Sequence, residues 1–162
     1  MDHRHMPHDR RRFDMSLAEV LMPIRFEQIE RGQSYRTSES FGYSAMDLFA
    51  ELSGDRSAIH VNGETARRCG FPDRLQYGFL LASLLSRIVG SNFHNAVCAA
   101  VSLDFVKPVA AGVRVDVTAE VAQVQLALRS VALRITMTSE EKTVLRGKLT
   151  TVFLPETQSL RE

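Results

Sequence analysis

Apolar and polar residues alternate along the second half of the chain. Over residues 113–121 every second position is Val or Ala, so in a strand these side chains share one face. Four long segments rich in Val, Leu, Thr and Ile predict antiparallel strands with one wet face; they are residues 97–106, 113–124, 128–138 and 143–154. Short connections at residues 125–126 and 139–141 predict two hairpins.

The first half of the chain predicts one strand and two short helices. Residues 34–41 combine β-forming residues with polar alternation and predict the first strand. Ser44 is expected to cap a helix over residues 45–52, whose apolar positions recur at helical spacing. Asn62 is expected to cap a shorter helix over residues 63–68.

A longer and more apolar helix is predicted over residues 78–89. It is apolar on nearly every face, which is typical of a helix inside a protein, and Gly90 lies just beyond its expected end. Together these elements predict an α+β fold. We expect one antiparallel sheet of about five strands with the buried helix lying across its inner face.

Length and composition favour a single folded domain. The chain has 162 residues, of which 44% are hydrophobic and 24% charged. We expect the domain to cover residues 15–154, with a basic, histidine-rich tail at 1–14 and a second tail at 155–162. His3, His5 and His8 lie in the first tail and are expected to be solvated rather than to form a metal site.

Charge and hydropathy argue against two classes of partner. A formal net charge of +1 is too small for a protein that neutralises a phosphate backbone, so we expect no nucleic-acid partner. The longest apolar run, residues 79–85, is far shorter than the ~20 residues of a membrane helix, so we expect no membrane partner. Cys69 and Cys98 are expected to be free, partly buried thiols in a reducing cytoplasm.

Candidate chemistry lies in the segment that follows the first helix. Asp55 and His60 are five positions apart there, and a carboxylate and an imidazole on one loop can share a water and move protons near neutral pH. The same residues have a structural interpretation, since Gly54-Asp55 also fits a helix stop with an Asx turn. His60 could equally be a buried histidine bonded to backbone.

Several spaced motifs give this segment a context. The chain resembles the MaoC-like (R)-specific enoyl-CoA hydratases and hydroxyacyl thioester dehydratases of the hot-dog superfamily. The matching residues run from about 44 to 121; they are Phe49, Ser53-Gly54-Asp55, Ile59-His60, Ala66, Gly70-Phe71, Gly78, Ser83, Phe105, Pro108-Val109 and Gly112.

The resemblance implies a hot-dog domain, in which the sheet wraps the long helix, and a homodimer. It implies a hydro-lyase acting on 2-enoyl or (R)-3-hydroxyacyl thioesters, with CoA or an acyl carrier protein as the substrate carrier and no cofactor. Asp55 and His60 would be the catalytic residues, and a helix N-terminal amide near Gly78 would stabilise the thioester oxygen.

Three other helix residues are candidates for substrate binding. Ser83 could lend a hydrogen bond, although it also fits a small residue bonded to a preceding carbonyl. Phe79 could line an acyl tunnel or belong to the core. Tyr77 could place its hydroxyl in the pocket.

Three arginines could receive carrier phosphates or simply be solvated; they are Arg67, Arg68 and Arg74.

The chain departs from the family pattern at three positions. Ser57 and Ala58 stand where the family pattern has Asn-Pro. Without the Asn, a side-chain amide that could brace the aspartate is expected to be lost. Without the Pro, the backbone φ before His60 is no longer fixed by a ring. Tyr77 stands where a histidine usually precedes the glycine. The lost Asn-Pro pair keeps open the alternative of a non-catalytic thioester-binding or partner subunit. A hot-dog acyl-CoA thioesterase is a second alternative.

Overall fold

Five antiparallel strands and four α-helices make up the structure, a computed structural model that describes residues 23–155. The strands are β1 (Ser34–Glu39), β2 (Ala96–Phe105), β3 (Val115–Gln125), β4 (Ser130–Ser139) and β5 (Lys142–Phe153). The helices are α1 (Tyr43–Ser53), α2 (Ala58–Val61), α3 (Gly63–Arg68) and α4 (Gly78–Asn92). The sheet has the order β1-β3-β4-β5-β2, so β1 and β2 are its edges.

Alternation along β3 explains how the sheet buries one face. Val115, Val117, Ala119 and Val121 are at most 1% exposed, whereas the residues between them are exposed or half-buried. The buried set packs in one core with Leu84 and other apolar residues of α4. The α+β prediction of a five-stranded sheet across a long helix is therefore confirmed.

The two hairpins differ from each other in their turns. Glu140 and Glu141 form a two-residue turn between β4 and β5, and both have positive φ, 48° and 63°. Such a turn matches the right-handed twist of the flanking strands. The predicted hairpin between β3 and β4 is present, but its connection is longer than residues 125–126. A 3₁₀ turn, Leu126–Leu128, joins the strands and ends at Arg129 in the left-handed region.

The ends of the short helices test the predicted caps. Asn62 caps α3 as predicted, since its side chain accepts the Thr65 N–H at 2.9 Å. Ser44 does not cap α1, because the helix already begins at Tyr43 and Gly42 occupies the capping position. Gly54 ends α1 with a φ of 75°, a conformation that glycine adopts without a steric penalty.

Helix α4 is longer than its sequence predicts, and it has both a buried and an exposed side. It runs through Gly90 to Asn92, because the backbone at Gly90 stays helical and Phe93 provides the end. Its buried residues are Leu80, Leu81, Leu84, Leu85, Ile88 and Val89. All of these except Leu80 pack in one core with the sheet, and Leu80 packs with Met46 and Ala50 of α1. The expectation of burial on nearly every face is wrong, since Phe79, Ser83 and Arg87 are exposed.

Other expectations are answered only within residues 23–155. No helix in this range is long and apolar enough to cross a membrane, and no group of three or more His, Cys, Asp or Glu side chains could hold a metal ion. Cys69 and Cys98 are free, as expected, but both are exposed rather than partly buried. The predicted tail with His3, His5 and His8 lies outside the described residues, as do residues 156–162.

Candidate active site

A cavity of about 430 Å³ opens beside the first turn of α4. Its wall is mainly apolar and includes both halves of the predicted acid–base pair. The lining residues are Phe49, Asp55, His60, Leu75, Gln76, Tyr77, Gly78, Phe79, Leu81, Phe105, Val106, Lys107, Pro108, Val109 and Val144. The fold thus brings Asp55, His60, Tyr77, Gly78 and Phe79 to one space.

Asp55 reaches the cavity because α1 ends just before it. Its carboxylate oxygen Oδ1 accepts two hydrogen bonds from Ser57, one from the backbone N–H at 3.0 Å and one from the hydroxyl at 2.7 Å. These two bonds, with a smaller contribution from the nearby His60, hold the pKa of the Asp55 carboxyl below its ordinary value. The other oxygen, Oδ2, accepts no hydrogen bond from residues 23–155.

His60 lies on α2, a one-turn helix, although the sequence predicts a loop at this position. Its ring atom Nδ1 lies 2.8 Å from the carbonyl oxygen of Leu75. Because a carbonyl oxygen only accepts, Nδ1 carries the proton. In the neutral ring, Nε2 is then unprotonated and has no hydrogen-bond partner within the described part of the chain, so it can accept a proton.

Tyr77 contacts both members of the pair. Its ring stacks on the His60 imidazole with centroids 4.1 Å apart and planes inclined by 30°. Its hydroxyl donates to the Asp55 backbone carbonyl at 3.0 Å rather than pointing freely into the cavity. The side chain is 2% exposed, and this burial raises the pKa of its phenol.

The first turn of α4 presents backbone amides beside this pair. The capping residue Tyr77 makes no side-chain bond to them, and the first amide bonded inside the helix is that of Leu81, to the Tyr77 carbonyl at 3.1 Å. The amides of Gly78 and Phe79 therefore have no intrahelical acceptor, and the helix dipole favours negative charge there.

Gly78 also allows an aromatic side chain to approach. A Cβ atom at this position would lie 2.6 Å from Cε1 of Phe105, so the ring rests directly against the glycine backbone. Phe79 meets Phe105 edge to face, with centroids 6.0 Å apart, and is 74% exposed. Phe79 thus lines the cavity mouth and is not a core residue.

Of the predicted catalytic and substrate-binding residues on or near α4, Ser83 does not line the cavity. It is exposed on α4, and its hydroxyl donates to the Leu80 carbonyl at 2.6 Å. This contact matches the alternative of a serine bonded to a preceding carbonyl.

The three candidate arginines are already paired. Arg74 is mostly buried and bonds both the Asp47 carboxylate and the His60 carbonyl, so it is part of the scaffold. Arg67 and Arg68 are exposed and lie near Asp73 and Glu64, respectively.

Three contributions to the site have no clear signal in the sequence. Ser57 replaces the expected amide brace of Asp55 with its own hydroxyl, so the predicted loss of a brace is wrong. Gln76 is 5% exposed and ties the cavity wall together by donating from Nε2 to the carbonyls of Ala110 and Val113, each at 2.8 Å. Lys107 lines the cavity without an ion-pair partner among residues 23–155.

Comparison with known proteins identifies a family for this chain. A family model described as the MaoC like domain matches residues 26–143, well over half of the chain. The chain belongs to the MaoC-like family. The predicted recognition is therefore confirmed.

Individual MaoC-like relatives agree with this assignment. An (R)-specific enoyl-CoA hydratase of Rhodospirillum rubrum is 33% identical over 132 residues, which are 80% of this chain and 91% of the relative. A 3-hydroxybutyryl-CoA dehydratase of Methylorubrum extorquens is 32% identical over 130 residues, 79% of this chain and 83% of the relative.

A solved structure supports the same fold. The (R)-hydratase from A. caviae superposes with a TM-score of 0.76 at 26% identity, covering 79% of this chain and 99% of that structure. These MaoC-like relatives are hydro-lyases, and the predicted enzyme class is confirmed.

Proposed function

We propose that this MaoC-like protein adds water across the 2,3 double bond of 2-enoyl thioesters and removes it from (R)-3-hydroxyacyl thioesters. The observation that carries the proposal is one cavity shared by the Asp55 carboxylate, the His60 imidazole and the unpaired amides at the start of α4. The names of the two relatives above support the substrate class, and the name of the Rhodospirillum rubrum enzyme also supports the (R) stereochemistry.

The proposed chemistry uses the free atom of each catalytic side chain. A water held by Oδ2 of Asp55 and Nε2 of His60 adds its oxygen to C3 and gives up a proton to the pair. The C2–C3 π bond breaks, negative charge moves to the thioester oxygen, and C2 then takes a proton back from the pair. Each positioned proton transfer contributes about 10²–10⁴-fold to the rate.

The amide of Gly78 is the proposed donor to the thioester oxygen. It lies at a helix N-terminus, where the unpaired N–H and the helix dipole both stabilise developing negative charge. Phe79 and Phe105 would flank the acyl chain at the cavity mouth. Ser83 has no step in this proposal, because its hydroxyl is committed to Leu80. The reaction exchanges no electrons, so the proposal includes no redox cofactor.

The carrier of the acyl group is CoA or an acyl carrier protein. Lys107 is the unpaired cation on the cavity wall among the described residues, so it is the proposed contact for a carrier phosphate. Lys107→Ala is expected to raise KM for a thioester with its carrier and to leave kcat nearly unchanged.

We also propose that two copies join along β2. Among residues 23–155 this strand pairs with β5 alone, and its Val97, Val101 and Phe105 are 44%, 59% and 52% exposed. An open edge with apolar side chains is relieved when a second strand pairs with it. Light scattering of the purified protein tests this proposal: a dimer supports it, and a monomer at micromolar concentration contradicts it.

The test of the activity is hydration of crotonyl-CoA, followed as loss of the absorbance of the conjugated thioester. Asp55→Asn and His60→Gln are each expected to lower kcat by about 10²–10⁴-fold. No decay with any chain length, or decay that both variants retain, contradicts the proposal. A thiol reagent added in parallel detects free CoA, which only the thioesterase alternative releases.

A further inference from the structure

Asp55 is held at every polar atom except one carboxylate oxygen. Its backbone N–H donates to the Ser53 hydroxyl at 3.2 Å, and its carbonyl accepts the Tyr77 hydroxyl at 3.0 Å. Its Oδ1 accepts both bonds from Ser57. The residue is exposed on the surface of the chain, so these bonds, rather than packing, determine where Oδ2 lies.

The Ser57 hydroxyl does not perform the usual task of a serine at its position. Ser57 is the capping residue of α2, and such a hydroxyl normally accepts an N–H from the first turn. Here it makes no capping bond, and it donates to Asp55 instead. The backbone of Ser57 supports α2 separately, since its carbonyl accepts the His60 N–H at 2.9 Å. Removing the hydroxyl therefore leaves the helix end as it is.

Tyr77 links the two proposed catalytic residues through different parts of one side chain. The ring limits the orientation of the His60 imidazole by stacking on it, while the hydroxyl holds the Asp55 backbone. The Nδ1 bond from His60 to Leu75 provides the second fixed point of the imidazole. Buried at 2% exposure and packed against Phe49 at 4.9 Å, the phenol is itself immobile.

We propose that Ser57 and Tyr77 are positioning residues, which orient Oδ2 of Asp55 and Nε2 of His60 toward one shared water. The Ser57 and Tyr77 hydroxyls do not touch the substrate in this scheme, although the Tyr77 ring lines the cavity wall. The proposal rests on the proposed function and adds to it the device that keeps the acid–base pair aligned. It also explains how the pair stays aligned without the Asn-Pro sequence of the family pattern.

The test for Ser57 separates alignment from folding. Ser57→Ala is expected to lower kcat about tenfold, the value of one hydrogen bond to a charged group, with KM changed less than twofold. Ser57→Thr keeps a hydroxyl and is expected to recover at least half of the wild-type kcat. Ser139→Ala is the matched control, because it removes a hydroxyl bonded to the Arg114 carbonyl on the β4–β5 hairpin.

A spectroscopic measurement detects the same contact without turnover. The side-chain carboxyl signal of Asp55, labelled with ¹³C and assigned by its loss in Asp55→Asn, is followed through a pH titration. Ser57 stabilises the ionised carboxylate, so in Ser57→Ala the pKa of Asp55 is expected to rise. In Ser57→Thr it is expected to return toward the wild-type value.

The test for Tyr77 removes only the hydroxyl. Tyr77→Phe keeps the stacked ring and is expected to lower kcat about three- to tenfold, with little change in KM. Tyr35→Phe is its control, since Tyr35 is a buried tyrosine whose hydroxyl bonds Gln33 at 3.1 Å away from the cavity. Circular dichroism confirms that each variant is folded before its kinetics are compared.

The outcomes distinguish this inference from the proposed function. If wild-type protein hydrates the thioester but Ser57→Ala and Tyr77→Phe both retain full kcat, the positioning role is wrong while the activity stands. An unchanged Asp55 titration in Ser57→Ala also overturns the role of Ser57. If the wild-type protein is inactive, the proposed function fails, and the titration still reports whether Ser57 braces Asp55.

Discussion

Gly78→Ala is the substitution that most directly probes the first turn of α4. The new Cβ would lie 2.6, 2.9 and 3.0 Å from three ring atoms of Phe105. Ordinary contacts between carbon atoms are about 3.5–4.0 Å, so the ring must move by about 1 Å. In the single chain Phe105 is 52% exposed, so its ring has room to move away from the helix.

The expected change in stability is small. Moving a side chain off its preferred rotamer costs about 0.5–1.5 kcal/mol. Replacing glycine by alanine at a compatible backbone position offsets about 0.4–1 kcal/mol of this cost, and Gly78 is not among the glycines with positive φ. The net change in the free energy of unfolding is thus about 1 kcal/mol or less, which corresponds to a Tm shift of about 2–4 °C at this chain size.

The expected change in activity is much larger. The new Cβ would crowd the amide that is proposed to meet the thioester oxygen. Loss of one oxyanion-hole donor typically lowers kcat by about 10²–10³-fold. A crowded amide should bond the thioester oxygen poorly, so we expect kcat/KM for crotonyl-CoA to fall about 10²-fold. Hydration kinetics and a thermal melt by circular dichroism measure the two quantities on the same preparation.

Two further variants make the test decisive. Gly90→Ala lies on the same helix with open space around its Cβ, so it is expected to raise Tm slightly and leave kcat/KM unchanged. Phe105→Ala in the Gly78→Ala background removes the crowded ring but keeps the new Cβ. If Gly78→Ala is folded and retains wild-type kcat/KM, a Cβ at this position does not block the amide, and the expected crowding is wrong.

Three other expectations follow from the sheet and the site. In Gly147→Ala the Cβ would lie 2.1 Å from the backbone oxygen of Ser102, which cannot rotate away, so we expect a loss of about 1–3 kcal/mol or more by chemical denaturation; an unchanged midpoint would contradict the β2–β5 register. Replacing Glu140-Glu141 by Asn-Gly suits the positive φ of both residues, so Tm should rise with kcat unchanged, and a lower Tm would argue against this turn. The pKa of Asp55 lies below its ordinary value, so its ¹³C titration midpoint should lie at lower pH than that of an aspartate in an unfolded peptide.

The elements of the fold that could be predicted from the sequence are those with a strong local pattern. The period-two run of β3 specifies its buried face, because a slip of one residue would expose every valine. Asn62 specifies the start of α3, because its side chain accepts a local backbone N–H and this bond does not depend on which residues lie nearby. The motif around Asp55 and His60 is enough to predict these two residues as candidates for acid–base chemistry.

What the sequence could not provide are features decided by tertiary contacts. Helix α4 passes through Gly90 because packing against the sheet outweighs the weak helix propensity of one glycine. The Ser57 hydroxyl adopts a rotamer that bonds Asp55 instead of the first turn of α2, whereas the capping propensity of serine favours a bond to that first turn. The long-range bond from Tyr77 to Asp55 spans 22 positions, a distance over which a single sequence carries no pairing signal.

The buried phenol beside the imidazole also gives this protein an optical reporter. The chain has no tryptophan and only three tyrosines, so one third of its strongest near-ultraviolet chromophores sits in the cavity wall. A thioester entering that space would alter the environment of Tyr77 directly. Difference spectra in the tyrosine band, compared between wild type and Tyr77→Phe, can therefore follow occupancy of the cavity without any added label.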